Sequence, residues 1–311
     1  MGGSGGGFLP SSSNSDAIKN ELKQSISGTK NAGYETNVSA FLNDQLIQYN
    51  DRDVKGIQGK LDIIKTALEK DIGGTLNTVF GGSVQKHTYI DGISDVDSLV
   101  ILNNSELAGK NPEQVKDYFL KTLKDKLKGI KNIQKGDLAV TIEFNDGAII
   151  QLLPAVKTAE GVKIQSAKAN KWSEVNPLGF VEKLTKVNKA LEGKLVPTVK
   201  LIKGINAQFP EKRQMTGYHI ESLAIEVFKS YAGERTTKAM LEHFFEKAKS
   251  KVLSPIKDKT RQSVHVDEYL GSQNSEDRKG VSYRLDLIYR KIKSANNVAS
   301  IDLWKDALGE S

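Results

Sequence analysis

The sequence contains no cysteine. Disulfides and thiolate metal centres are excluded, and a reducing compartment, the cytoplasm, is the expected location. No apolar run approaches the ~20 residues a helix needs to cross a bilayer, so no membrane partner is expected. The first residues, MGGSGGGFLPSSSNS, lack the basic stretch and apolar core of a secretory signal, and position 6 is glycine rather than the Ser or Thr of a myristoylation signal. Residues 1–15 read as a flexible tail. Histidine is scarce, and His243 and His265 stand far from any matching group of acids, so no zinc site is expected. There is no long block of like charge to mark a nucleic-acid arm. The formal net charge is nevertheless +7. That suits an anionic partner such as a nucleotide, a nucleic acid or an acidic protein, and equally a lysine-rich solvated surface.

What is present is 311 residues with 38% hydrophobic content, enough for one large domain or two intimate lobes. Val54, Ile57, Leu61, Ile64, Leu68 and Ile72 recur at three- and four-residue steps, which predicts an amphipathic helix stopped by Gly73-Gly74. An earlier helix is expected over Tyr34 to Tyr49. Thr75 to Phe80 and Asp95 to Leu102 read as strands, and Pro112 to Lys128 as a helix. Leu138 to Phe144 and Ala148 to Leu153 form a hairpin about Asn145-Asp146-Gly147, closed by Pro154. From Asn176 onward the pattern is helical, over Leu178 to Glu192, Leu195 to Gln208, Tyr218 to Tyr231, Thr237 to Lys251 and Lys279 to Ala295. Ser254 to Asp277 is polar and irregular, a surface excursion. The expected plan is a mixed α/β lobe over 16–170 and a helical lobe over 171–311.

One stretch carries chemistry: VFGGSVQKHTYIDGISDVDSLVIL, Val79 to Leu102. Alternate strand residues share a face, so Asp95 and Asp97 point the same way, about 6–7 Å apart. Two bare carboxylates so placed repel, and a hard divalent cation removes the conflict. Mg²⁺ takes oxygen ligands from one or two carboxylates plus substrate phosphates, and two such ions on shared carboxylates serve phosphoryl displacement. Upstream, Gly81-Gly82-Ser83 offers close backbone approach and a hydroxyl donor to a phosphate. A lone Asp-x-Asp is usually a solvated edge; the two features together point to a nucleoside triphosphate held between a donor turn and a metal-bearing strand.

On these residues the chain resembles the DNA polymerase β nucleotidyltransferase superfamily, whose pattern is a Gly-Ser turn, two strand aspartates and a third acid on a neighbouring strand. Gly82-Ser83 matches the turn, Asp95-Val96-Asp97 the metal strand, and Thr88 a further step. VTIEFNDGAIIQLLPAV, KLVPTVKLIKGIN and TGYHIESLAIEVF are similar to segments of CCA-adding enzymes and of the cyclic GMP-AMP synthase-like (CD-NTase) family. EYLGSQNSEDRKGVSYRLDLIYRKIKSA and the terminal LWKDALG resemble the bacterial CD-NTases of CBASS anti-phage systems. The resemblance spans roughly residues 35–309. It implies a bilobal polymerase β-like α/β core with a mixed sheet and a C-terminal helical lobe. It also implies two Mg²⁺ (Mn²⁺ as substitute) at Asp95 and Asp97, ATP or another nucleoside triphosphate as substrate, and a cyclic di- or trinucleotide messenger as product. A CBASS regulatory protein or an activating ligand is the implied partner.

Position 151, where the third acid is expected, is Gln151. Either Glu143 supplies the carboxylate from the paired strand, or the site binds nucleotide without turnover. Asp146 reads as turn chemistry. The resemblance implies that Lys203 reaches phosphates; the plain alternative is a surface lysine. Tyr218 stacks on a base or packs in the core. His87 reads as polar packing, and His219 and Glu221 as helix packing. Arg278, Lys279, Arg284, Arg290 and Lys291 form a basic stretch, either a solvated helix face or a ligand site. Competing functions are a template-free RNA 3′-end transferase and a nucleotide-binding sensor.

Overall fold

The computed structural model describes residues 13–50, 54–90, 95–159, 161–166, 169–175, 177–258 and 265–310. Most of the expected tail, and the turn 91–94 before the aspartates, lie outside the described residues.

The chain opens with α1 (Ser13–Asn50) and α2 (Val54–Glu69). Then come β1 (Asn77–Phe80), a single helical turn α3 (Gly82–Gln85), β2 (Val96–Ile101), α4 (Pro112–Lys126), β3 (Ile130–Lys135), β4 (Val140–Phe144) and β5 (Ile149–Lys157). The strands form a mixed sheet in the order β1-β2-β5-β4-β3, in which β2 and β5 run parallel and the other pairs antiparallel. β6 (Val162–Ser166) extends from the end of β5 and pairs with β7 (Ala169–Val175). The helical half comprises α5 (Pro177–Ala190), α6 (Leu195–Ala207), α7 (Gly217–Phe228), α8 (Thr237–Lys251), α9 (Glu276–Asn297) and α10 (Ile301–Leu308).

Two hydrophobic cores underlie the two halves. In the first, Leu61, Ile64 and Leu68 of α2 and Val115, Phe119 and Leu123 of α4 meet the inward residues of β2, β4 and β5. Strand alternation does the sorting: Val96, Ser98 and Val100 face this core, and Asp97, Leu99 and Ile101 the opposite side. In the second, α5 to α10 pack around Phe244, Phe245 and Trp304. The helix over Tyr34 to Tyr49 exists, but Tyr34, Val38 and Leu42 bury in this second core, so α1 belongs with the helical half and not with the 16–170 lobe. Four-residue spacing gives α1 one apolar stripe, and that stripe is spent on α6, α8 and α10.

Pro154 does not end β5, which continues to Lys157. The amide of Leu102 donates to the carbonyl of Ala155 at 2.9 Å, so Ala155 turns toward β2 and Pro154 turns its nitrogen to the other edge. On that edge β4 ends opposite Leu152 and β6 begins opposite Val156, so no ladder partner is waiting. The excursion over 254–277 is not a loose surface loop throughout. Among its described residues Asp267 is fully buried, and its Oδ2 accepts from Nη1 of Arg278 at 2.6 Å. Arg278 also donates to the carbonyls of Val252, Gly271 and Ser272. It is a buried structural clamp, and leaves the basic stretch of α9.

Candidate active site

The sheet turns its Asp97 side toward α5, α6 and α7, and a cleft of about 440 Å³ lies between. β1 and β2 build its floor. The amide of Gly81 donates to the carbonyl of Asp97 at 2.8 Å, which pulls the start of α3 onto β2. Gly82 has φ +47°, and a Cβ added there would stand 1.6 Å from Oδ2 of Asp97. Only glycine permits that approach. Asp95 and Asp97 both line the cleft, beside Gly81, Gly82 and Ser83. The structure therefore brings the turn and the aspartate pair together, on one face of one sheet.

Burial works against the charge on both carboxylates. Burial pushes Asp97 up to about 6, opposed by Lys86 and Lys203 and reinforced by the Asp95 and Glu221 charges. Burial also raises Asp95, against a hydrogen bond from Gln151. Two oxygen-rich acids held together at a cost in ionisation, in a cleft with a donor turn, fit a hard divalent cation. Among the described residues no group of three or more His, Asp or Glu is placed to hold a metal, so the pair stands without a third protein acid.

Gln151 lies on β5 directly opposite Asp97, and its Nε2 donates to Oδ2 of Asp95 at 2.5 Å. Glu143 is not brought to the pair. It shares the face of β4 with Thr141, but Lys131 holds its carboxylate at 2.6 Å, and it does not line the cleft. Asp146 is turn chemistry: it accepts from the amide of Ala148 and pairs with Lys60.

The opposite wall comes from the helical half. Lys203 of α6 is 5% exposed, not a surface lysine. Its Nζ donates to the Thr88 carbonyl at 3.0 Å and to Oε1 of Glu221 at 2.8 Å. Lys86 holds the other oxygen of Glu221, and the Thr88 hydroxyl donates to the same carboxylate. Burial pushes the Glu221 carboxyl up, and Lys86 and Lys203 together overcome it, leaving the group below its ordinary range. Burial likewise lowers Lys203, against the pull of Glu221. Tyr218 lines the cleft 4.8 Å from the Phe180 ring, its hydroxyl donating to Asp258 at 2.8 Å, and Lys86 stands over both rings.

Lys86 and Glu221 were not expected as site residues. A usable signal existed: Lys86 follows Ser83 by three residues and Glu221 follows Tyr218 by three, one helical step from a predicted ligand in each case. His219, as expected, packs; its Nδ1 meets the Tyr269 hydroxyl at 2.7 Å. His87 faces a separate, smaller cavity with Asn50 and Lys200.

A sheet carrying a glycine-serine turn and paired aspartates, closed by a helical lobe, defines the polymerase β-like nucleotidyltransferase fold. Residues 34–188 match the family model described as the Second Messenger Oligonucleotide or Dinucleotide Synthetase domain. The chain belongs to the bacterial cyclic GMP-AMP synthase-like, or CD-NTase, family. Among solved structures it is similar to Escherichia coli DncV bound to 3′-deoxy GTP (TM-score 0.65, 11% identity, 97% of this chain and 92% of that one). It is also similar to Bradyrhizobium diazoefficiens CdnG in complex with GTP (0.65, 13%, 88% and 96%). A third is CdnC of E. coli MS115-1 with ATP (0.61, 14%, 82% and 91%). No curated protein sequence matches. No described helix is long and apolar enough to cross a membrane.

Proposed function

We propose that the chain joins ribonucleoside triphosphates into a cyclic di- or trinucleotide messenger that acts on a separate effector in anti-phage defence. The observation that carries this is the meeting of the Gly81-Gly82-Ser83 turn with Asp95 and Asp97 in the inter-lobe cleft. Membership of the family supports it. Asp95 and Asp97 would hold Mg²⁺, which when bound would offset their repulsion and supply positive charge to the phosphates. The turn's N–H groups and the Ser83 hydroxyl donate to the triphosphate, and Lys86 and Lys203 supply positive charge beside it. Tyr218, backed by the buried Phe180 ring, presents a ring face to a base. The apolar wall of Val162, Ile164 and Val175 narrows the cleft to water. In each transfer a ribose hydroxyl oxygen bonds to the α-phosphorus of a second nucleotide. The bond to the β-phosphate oxygen breaks, pyrophosphate departs, and the hydroxyl proton leaves to solvent.

The test is incubation of the purified protein with labelled ATP, GTP, CTP and UTP and Mg²⁺ or Mn²⁺, followed by phosphatase treatment and mass spectrometry. A phosphatase-resistant product that vanishes in Asp95→Asn and Asp97→Asn is expected. An RNA primer in the same reaction must not lengthen; lengthening would reassign the protein as a 3′-end transferase.

A further inference from the structure

From the donor set around Asp95 and Asp97 we infer that the cleft holds one divalent cation per bound nucleotide, not two, and that Gln151 sets this number. The inference rests on the nucleotide-site reading above and deepens it. It departs from the expectation of two ions.

Two cations about 3.5–4 Å apart carry four positive charges, and protein carboxylates must hold both of them beside the substrate phosphates. Here the pair offers two carboxylates, and one of their four oxygens is already engaged. Oδ2 of Asp95 accepts from Nε2 of Gln151 at 2.5 Å. A carboxylate has no hydrogen to give, so the amide must present its nitrogen there. An amide N–H cannot ligate a cation. Register makes this local and specific: Gln151 is the cross-strand partner of Asp97, on the same face, where a third acid would complete the set.

Other acids are committed elsewhere. Glu221 is fully buried and divided between Lys86, Lys203 and Thr88. Glu143 is paired with Lys131 outside the cleft. Glu211 is near enough for Asp95 to sense its charge, yet it is exposed and does not line the cleft. Among the described residues no third carboxylate reaches the pair. The lysines beside it add positive charge, which disfavours a second cation further.

Asp95 and Asp97 would hold the one ion, and the nucleotide's phosphates would supply further oxygen ligands. Gln151 fixes the Asp95 carboxylate and accepts no proton, so the attacking hydroxyl has no protein base at this position.

The experiment is equilibrium dialysis with Mn²⁺ and an α,β-methylene analogue of ATP, which cannot release pyrophosphate, counting metal and nucleotide retained by the protein. Pulsed electron paramagnetic resonance on the same samples reads coupling between neighbouring Mn²⁺ ions. One Mn²⁺ per nucleotide without Mn–Mn coupling is expected in the wild type, and two with coupling in Gln151→Asp. Gln151→Glu serves if the aspartate variant does not fold. Two coupled ions in the wild type would overturn the inference and leave the nucleotide site standing. A single ion in both folded variants would overturn the role of Gln151. No nucleotide-dependent Mn²⁺ retention would overturn the inference together with the reading beneath it.

Discussion

At the scale of single residues, the cleft is organised around Glu221. This carboxylate touches both halves: Lys86 and Thr88 come from the turn that follows Ser83, and Lys203 from α6. Glu221 is a positioning residue. It keeps the buried Lys203 charged where burial works to neutralise it, and it pairs with the half-buried Lys86. In Glu221→Gln that support is lost, Lys203 sheds its proton more easily, and the KM for nucleoside triphosphate is expected to rise about tenfold or more, the scale of one charged hydrogen bond. The kcat should change less. Lowering the pH should recover part of the KM, because it restores the lysine proton, and a purely structural lesion would not respond that way. Steady-state kinetics across pH measures both. The aspartate pair was legible in the sequence because alternation on a strand is a strict geometric rule. Glu221 was legible only through its three-residue step from Tyr218, since an acid inside an apolar helix reads as packing until its cross-lobe partners are known.

At the scale of elements, the helices with one clean apolar stripe were legible, and the polar ones were not. α2 and α4 were expected within a few residues of their observed ends, and α8 matched the expected Thr237 to Lys251. β3 was missed because IKNIQK buries only Ile133 on the outer edge of the sheet, and an edge strand facing solvent carries little period. The β6–β7 hairpin was missed because its pairing is long-range support for the end of β5, invisible locally. The 254–277 segment was read as a surface excursion because the ion pair that anchors it joins Asp267 to Arg278 across an element boundary. Beside that pair His219 is fully buried, with Oδ2 of Asp267 at 3.8 Å from its Nε2 and Tyr269 on its other nitrogen. Burial pulls its pKa down to about 4, against the Asp267 charge and with help from Arg278. In the unfolded chain a histidine titrates near 6.5, so between those values the unfolded state holds more protons. The stability this group contributes is present above about pH 6.5 and is lost as pH falls toward 4. Urea unfolding should therefore show a falling midpoint from pH 7 to pH 4, and His219→Gln should flatten that fall. An unchanged slope in the variant would count against the assignment.

At the scale of the whole molecule, the two large hydrophobic cores stay separate, and at the cleft between them stand a small apolar cluster around Ala155, Ile164 and Val175 and the polar groups around Glu221. α1 helps to make this arrangement: it precedes the sheet in sequence yet buries Tyr34, Val38 and Leu42 in the helical core, so the chain crosses between the halves twice. A sequence pattern reports which face of a helix is apolar, not which of two cores receives it, and for that reason the lobe boundary was legible only in part. The division has a measurable consequence. On the proposed function, a nucleotide in the cleft would contact Ser83 and the aspartates on one side and Lys203 and Tyr218 on the other, all of which line it, and its binding energy would stabilise both halves at once. At a hundred times the dissociation constant such linkage amounts to about 2.7 kcal/mol. The two tryptophans report on the halves independently. Trp172 packs against the sheet core from β7, and Trp304 is wholly buried in the helical core, its Nε1 donating to the Tyr34 hydroxyl at 2.8 Å. In Trp172→Phe the fluorescence of Trp304 follows the helical half, and in Trp304→Phe that of Trp172 follows the sheet half. Addition of the α,β-methylene analogue with Mn²⁺ should raise the unfolding midpoint seen by both probes. A shift confined to Trp172 would mean that the phosphate turn and aspartates bind alone, and that Lys203 and Tyr218 do not reach the ligand.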